Sequence, residues 1–213
     1  MNNTDKVEQC QECINCCNAD RLKLVDKPYV VFQVEEKWLP RQGVKVLFVA
    51  ESPPWNGEQR YFYNTLNIGK RAGLRKEVLR WLSLPSLEAF KDKGYFLIDA
   101  IKCRLNKKNN SSVPLEVLEK CSRKFLWEEI KVLRPETIFV FGNSAKKALE
   151  SLGGTPGLPE FINLKSHTVT DDYDMVLSGY RVILCSYPGG QTRAYGDNIR
   201  LAFAKLQGDP AGA

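Results

Sequence analysis

Four short, nearly continuous apolar runs divide the chain into segments of similar length. They are rich in valine, isoleucine and phenylalanine, and they cover residues 44–50, 94–101, 136–142 and 180–186. Runs of this length without polar alternation are typical of strands buried on both faces, as in a parallel sheet. Residues 28–34 (PYVVFQV) form a further apolar run, for which we predict an additional edge strand.

Between these runs, apolar residues recur at helical spacing. Pro114 is placed to begin one helix, because proline is favoured in the first helical turn, and Asn143 and Ser144 are candidate caps for another. The alternation of strands and helices predicts an open α/β sandwich. We expect loops over the Gly/Pro/Asp-rich residues 153–175. The predicted helices cover residues 70–82, 114–133, 143–152 and 198–206.

The predicted strand ends lead into polar and aromatic segments. The first strand runs into AESPPWNGEQRYFYN, the second ends at IDAIKC, and the fourth runs into CSYPGGQTR. In an open parallel sheet, ligands bind beyond the carboxyl ends of the strands. We therefore predict that these three loops converge on one site.

The composition is that of an ordinary globular protein. Of the 213 residues, 43% are apolar and 26% are charged, which suits a single domain over residues 1–213. No apolar run is long enough to cross a membrane, and MNNTDKVEQC lacks an apolar signal core, so we expect a cytosolic monomer without a membrane partner. The 31 lysines and arginines exceed the 25 aspartates and glutamates by six, which is compatible with a polyanionic partner and does not require one.

The cysteines indicate metal or redox chemistry, because structural disulfides are rare in the cytosol. Four of the seven lie in CQECINCC near the N-terminus. Either C-x2-C pair there, Cys10 with Cys13 or Cys13 with Cys16, can present two thiolates to one metal. Cys103 and Cys121 are natural candidates for the other two ligands. The spacing does not distinguish zinc from an iron–sulfur cluster.

The alternative for Cys103 and Cys121 is that they are small residues of the core, where free cysteine is common. Cys17 and Cys185 fit a structural role, since Cys185 lies in a predicted core strand.

Several of these segments together resemble the uracil-DNA glycosylase superfamily, and most closely its iron–sulfur branch, family 4. VLFVAESPP, DAIKCR, the downstream Cys121, LRPETIFVFGNSAKKAL and SYPGG follow in the order and spacing of that family, over roughly residues 8–206. The resemblance implies a three-layer αβα sandwich with a four-stranded parallel sheet. It also implies a [4Fe–4S] cluster, with zinc as the less favoured alternative, which joins the N-terminal segment 8–21 to the domain. The implied ligands are Cys10, Cys13, Cys103 and Cys121, with Cys16 as an alternative to Cys10.

The function implied is that of a monofunctional DNA glycosylase of the prokaryotic cytosol. Such an enzyme hydrolyses the N-glycosidic bond of a flipped-out uracil, or another deaminated or modified base, in single- or double-stranded DNA. The alternative is a non-catalytic member of the superfamily that binds nucleic acid or a modified nucleotide. Four basic residues beside Cys103 are candidates for phosphate contact, or else lie on a solvated loop: Lys102, Arg104, Lys107 and Lys108.

The resemblance also assigns residues to the site. Glu51 would orient or deprotonate water, or stabilise positive charge on the sugar. Phe62 would stack on the base, with Tyr61 and Tyr63 as the neighbours that could be confused with it. The family's final His-Pro is Tyr187–Pro188 here, so the Tyr187 hydroxyl would replace the histidine as donor to the departing base. Further candidates for substrate binding are Ser52, Pro53, Asn64, Gln191 and Arg193.

Asp99 is the second departure from the family, which usually has asparagine at this place in T-N-V-V-K-C-R. An amide offers both a donor and an acceptor to uracil, whereas an ionised carboxylate only accepts. Three explanations stay open: Asp99 is protonated, it reads a base with more donors, or it activates water as a catalytic residue.

Overall fold

The chain folds around a central β-sheet. The computed structural model describes residues 3–10, 24–54, 60–66, 73–105, 113–152, 174–177, 180–188 and 192–208. The strands are β1 (Leu24–Asp26), β2 (Val46–Ala50), β3 (Tyr95–Asp99), β4 (Arg104–Leu105), β5 (Thr137–Phe141), β6 (Asp174–Leu177) and β7 (Tyr180–Cys185). The helices are α1 (Asn3–Gln9), α2 (Pro28–Val31), α3 (Val34–Trp38), α4 (Gly73–Trp81), α5 (Leu87–Asp92), α6 (Leu115–Cys121), α7 (Trp127–Leu133), α8 (Gly142–Glu150) and α9 (Thr192–Gln207).

The central sheet has the strand order β3-β2-β5-β7-β6. The first four strands of that order are mutually parallel, and they are the four apolar runs of the sequence. Every residue of β2 and β5 is buried, which explains why those runs lack polar alternation. With helices on both sides, the sheet forms the predicted three-layer αβα sandwich.

The edge strand β6 adds an element that the sequence pattern did not predict. It pairs antiparallel with β7, with Met175 opposite Val182, and begins at the end of the segment 153–175 for which loops were expected. At the other edge, β3 pairs only with β2 among the described strands.

Aromatic rings fill one face of the sheet. Phe48 of β2 lies beside Phe139 of β5 in the parallel register, with ring centres 5.1 Å apart. Phe90 of α5 lies 5.3 Å from Phe48, and Phe203 of α9 lies 4.9 Å from Phe139. This packing anchors α5 and α9 to the sheet through large apolar contacts.

Residues 28–34 are helical, so the predicted additional edge strand is wrong. Pro28 begins α2 and Val34 begins α3, with Gln33 between them in the left-handed conformation at φ 48°. Tyr29 and Val34 point into the core. A run of seven residues is too short for its periodicity to distinguish a strand from a buried helix, and Pro28 favoured the helix start.

The predicted helices are present with shifted ends. The segment 114–133 is α6 and α7 joined by a π-helical turn, Ser122–Leu126, and Pro114 precedes its first residue as predicted. The segment 143–152 begins one residue early, at Gly142, and no side chain caps it, so the predicted capping by Asn143 or Ser144 is wrong.

A small two-stranded ladder ties the N-terminal part to the segment that follows β3. β1 pairs antiparallel with β4, with Asp26 opposite Arg104. Lys27 donates to the Cys10 carbonyl at 2.8 Å, and the Thr4 hydroxyl donates to Glu35 at 3.0 Å.

None of the helices in the described part of the chain is both long and apolar enough to cross a membrane.

Candidate active site

A cavity of about 530 Å³ opens at the carboxyl ends of the parallel strands. The strand order reverses between β2 and β5, and in open α/β sheets ligands bind at such a reversal. The volume is that of a small-molecule site, for which roughly 300–1,000 Å³ is usual. The described lining residues are Ala50, Glu51, Ser52, Pro53, Pro54, Arg60, Tyr61, Phe62, Gly73, Leu74, Leu97, Asp99, Phe141, Gly142, Asn143, Ser144 and Tyr187.

Glu51 and Asp99 lie at neighbouring strand ends. Ala50 pairs with Asp99 in the parallel register, and the ladder continues beyond the strands where the Ile101 amide donates to the Glu51 carbonyl at 3.0 Å. The Ser52 hydroxyl donates to Glu51 Oε1 at 3.3 Å. The sheet thus brings the two predicted carboxylates to one cavity.

Asp99 is 8% exposed and forms part of the cavity wall. Its carbonyl accepts a hydrogen bond of 2.7 Å from Lys102 Nζ, which fixes the backbone at the strand end. Burial raises the pKa of Tyr61 well above its ordinary value, and the negative charge of Asp99 adds to this rise. Tyr61 therefore keeps its hydroxyl proton at neutral pH.

Phe62 borders the cavity with a fixed ring. Its ring centre lies 5.3 Å from that of Phe90 and 5.0 Å from that of Tyr63. The buried guanidinium of Arg75 donates to the carbonyls of Phe62 and Asn64 and so holds this loop in place. Burial lowers the pKa of Arg75 from its ordinary value.

Tyr63 and Asn64 lie behind the cavity wall. The Tyr63 hydroxyl accepts from the Leu97 amide at 2.7 Å and donates to the Leu97 carbonyl at 2.9 Å. At this edge of the sheet, the hydroxyl thus satisfies backbone groups that a neighbouring strand would otherwise bind. Asn64 Oδ1 accepts from the Leu66 amide at 3.0 Å and stabilises a turn. Asn64, predicted to bind substrate, is absent from the cavity lining, whereas Tyr61 and Phe62 both belong to it.

Tyr187 packs against the first residue of α8. Gly142 has φ +74°, and a Cβ atom there would lie 3.3 Å from Tyr187 Cβ. Burial raises the pKa of Tyr187 to about 12, the carboxylates of Asp99 and Glu51 add to the rise, and Arg60 opposes it. Taken as a whole the residue is 46% exposed, so its burial is partial, and Tyr187 lines the cavity.

Three contributors to the cavity were not singled out from the sequence. Arg60 lies at the exposed rim, Gly142 begins α8, and Arg75 supports the Phe62 loop. A glycine directly after a strand, in FVFGNS, was the one signal that pointed to Gly142. Nothing local distinguished Arg75 from the other basic residues of its helix.

Lys102 and Arg104 do not face solvent, so the prediction that they contact phosphates is wrong. Lys102 is 1% exposed, and its Nζ atom lies 2.5 Å from Glu129 Oε2 and 5.3 Å from the centre of the Tyr29 ring. Arg104 Nε lies 2.9 Å from Asp26 Oδ1. Buried charges persist only when they are paired, and both cations have acidic partners in the core. Lys107 and Lys108 lie outside the described residues.

The cysteines of the proposed metal centre are described only in part. Cys10, Cys103 and Cys121 are buried, whereas Cys13, Cys16 and Cys17 lie outside the described residues. Within the described residues, no three Cys, His, Asp or Glu side chains form a metal-binding group. β1 nevertheless pairs with β4, which directly follows Cys103, and Lys27, which directly follows β1, donates to the Cys10 carbonyl.

The remaining predicted residues are placed as follows. Cys185 is the last residue of β7, is buried as expected, and directs its thiol to the Ser186 carbonyl at 3.2 Å. Burial raises the pKa of this thiol. Gln191 and the side chain of Arg193 lie outside the described part of the structure, and Arg193 belongs to α9.

A comparison with protein-family models matches residues 37–206 to the model described as the uracil DNA glycosylase superfamily. The matched range contains the parallel strands and the described residues that line the cavity. Cys103 and Cys121 fall inside it, and Cys10 falls outside. No curated protein sequence matches the chain.

The buried pair of Lys102 and Glu129 predicts a large and asymmetric effect on stability. Lys102→Met leaves Glu129 as an uncompensated buried charge, so we expect the free energy of unfolding to fall by about 3–5 kcal/mol. The double variant Lys102→Met/Glu129→Leu should recover most of this loss, because it removes both charges. Urea unfolding at pH 7 measures both.

The exposed pair of Lys120 and Glu116, 2.8 Å apart, provides the control. Lys120→Met should change the free energy of unfolding by less than about 1 kcal/mol. An equally small effect for Lys102→Met would contradict the role given to the buried pair.

Proposed function

Because the chain belongs to the uracil DNA glycosylase superfamily, we propose that it is a monofunctional DNA glycosylase acting on a base flipped out of DNA. The observation that carries this proposal is the cavity in which Glu51, Asp99 and Phe62 meet at the strand ends. A base-excising enzyme needs a closed wall for the base, a ring beside its face and a carboxylate near the sugar. These residues supply all three.

Glu51 is the residue proposed to activate water. Its carboxylate accepts a proton from a water molecule whose oxygen bonds to C1′ of the sugar. The bond from C1′ to the base nitrogen breaks, and its electron pair leaves with the base. The proton held by Glu51 then passes through solvent to the departed base, so that a free base and an abasic sugar result. The same carboxylate stabilises the positive charge that develops on the sugar.

Tyr187 and the start of α8 are proposed to stabilise the departing base. Tyr187 keeps its proton until the pH approaches about 12, so its hydroxyl is a hydrogen-bond donor throughout the neutral range. Gly142, Asn143 and Ser144 place the N-terminal end of α8 at the cavity. The helix dipole there favours negative charge, such as that gained by a leaving base.

Phe62 is proposed to stack on the flipped base. Its packing against Phe90 and Tyr63 fixes the ring before any ligand binds, so that binding needs no ordering of this side chain. Stacking of one base on an aromatic ring contributes about 1–3 kcal/mol in nucleic-acid complexes. Ser52 and Pro53 complete the wall beside Glu51.

A [4Fe–4S] cluster is proposed as a structural centre, with Cys103, Cys121 and two of the N-terminal cysteines as ligands. The buried thiols of Cys103 and Cys121 have the donor chemistry that such a cluster requires, and the described residues alone do not complete it. Zinc is the alternative. When bound, the cluster would cross-link the N-terminal segment to the segment 99–105, which carries Asp99, and it takes no part in hydrolysis.

Oligonucleotides that each hold one deaminated or oxidised base, in single- and double-stranded form, test the proposed activity. We expect abasic product from at least one of them. Glu51→Gln should lower the rate of cleavage by about 100-fold or more while DNA binding persists, because the amide cannot accept a proton from water. Absence of abasic product from every substrate, with binding retained, would instead support a non-catalytic member of the superfamily.

The contact of Gly142 with Tyr187 predicts that Gly142→Ala lowers the cleavage rate by up to about 10-fold, since the new Cβ would lie 3.3 Å from Tyr187 Cβ and shift Tyr187 slightly. Gly43→Ala is the matched control, because Gly43 also has positive φ, +90°, but has no neighbour within 4 Å of a new Cβ. Both variants should lose about 1–2 kcal/mol of stability from backbone strain. Equal cleavage rates in the two variants would contradict the role of Tyr187.

Colour and metal analysis test the proposed cluster. The purified protein should be brown, with broad absorption near ~400 nm, and Cys103→Ser and Cys121→Ser should each lose iron and colour. Cys185→Ala is the control, since Cys185 lies at the end of β7, and it should retain both. A colourless protein with stoichiometric zinc would establish the alternative metal.

A further inference from the structure

We propose that Asp99 makes the cavity selective for bases that carry an exocyclic amine on their Watson–Crick edge, over uracil and other bases that lack such an amine. This inference rests on the proposed glycosylase function and specifies its substrate class.

The position of Asp99 gives its carboxylate little freedom. The residue is paired with Ala50 in the sheet, and its carbonyl is held at 2.7 Å by Lys102 Nζ. Lys102 is itself locked by Glu129 at 2.5 Å. With 8% exposure, Asp99 is buried, and it forms part of the wall of the cavity. A base that enters the cavity must therefore be compatible with this group.

The hydrogen-bonding chemistry of a carboxylate selects the edge of the base. An ionised carboxylate only accepts hydrogen bonds, whereas uracil presents a carbonyl oxygen that also only accepts. Two acceptors that face each other in a desolvated site repel, which is costly. An exocyclic amine donates instead, and aspartate or glutamate accepts from the cytosine amine in protein–DNA complexes.

Several other described polar groups of the cavity fit the same class of base. Glu51 is a second carboxylate, and Arg60, the one cation among the described lining residues, lies at the exposed rim. Tyr61 and Tyr187 add two phenolic hydroxyls. Asp99 and both tyrosines line the same cavity. Burial is the main cause of the raised pKa of both tyrosines, and the charge of Asp99 adds to each rise. These hydroxyls can donate to the ring acceptors of a base whose amine is bound by Asp99.

Two matched pairs of modified bases test the inference. 5-Hydroxycytosine carries an amine where 5-hydroxyuracil carries a carbonyl, and only 5-hydroxyuracil has a proton on the adjacent ring nitrogen. 8-Oxoguanine carries an amine that 8-oxohypoxanthine lacks, and the two bases are otherwise the same. Each base is placed at the same position of one duplex and of one single strand. Single-turnover cleavage rates are measured for the full-length wild-type protein and for Asp99→Asn.

We expect the wild-type protein to cleave the amine-bearing member of a pair about 5- to 150-fold faster, the discrimination typical of one well-placed contact with a base edge. Asp99→Asn should lower or reverse this ratio and gain cleavage of uracil, because the amide can also donate. If Asp99→Asn does not fold, the wild-type ratios decide the question by themselves.

A wild-type protein that cleaves the members without the amine as fast or faster overturns the role of Asp99 while it supports the glycosylase function. An Asp99→Asn variant with an unchanged ratio also overturns that role. If neither protein cleaves any of the modified bases or uracil, the proposed function itself fails.

Discussion

The buried ammonium of Lys102 joins three elements of the fold behind the cavity wall. It donates to the Asp99 carbonyl at the end of β3 and to Glu129 on α7, and it lies over the ring of Tyr29 on α2. A charge in the core is tolerated only where partners surround it, so these elements must meet at one point. Cys103 directly follows Lys102 in the sequence. The contacts of Lys102 therefore stabilise both the cavity wall at Asp99 and the segment proposed to hold the cluster.

The cavity itself results from the reversal of strand order between β2 and β5. Four parallel strands deliver their carboxyl ends to one edge, and residues far apart in the chain become neighbours there. How closely these residues approach one another then depends on the local backbone, as at Gly142. Gly142 has no Cβ atom, so Tyr187 can pack against the first turn of α8 at the mouth of the cavity.

Asp99 and Tyr187, the two residues predicted to depart from the family pattern, line the same cavity. Both the Asp99 carboxylate and the neutral Tyr187 hydroxyl face a space that also contains Glu51. Carboxylates only accept hydrogen bonds when ionised, whereas neutral phenols can also donate them. Under the proposed function, this combination of side chains, rather than the fold, decides which base the cavity accepts.

The sequence by itself determined the four parallel strands and the principal helices, because burial on both faces requires uninterrupted apolar runs. It also determined the strand ends and loops that carry Glu51, Asp99, Phe62 and Tyr187, because sites in such sheets form at strand ends. It did not determine the helical state of residues 28–34, where a short apolar run suits either a strand or a buried helix. Nor did it reveal that Lys102 and Arg104 are buried, because their acidic partners, Glu129 and Asp26, are distant in the chain. Only the tertiary structure decided which charges are paired and which face the cavity, since pairing depends on contacts between segments that no local pattern encodes.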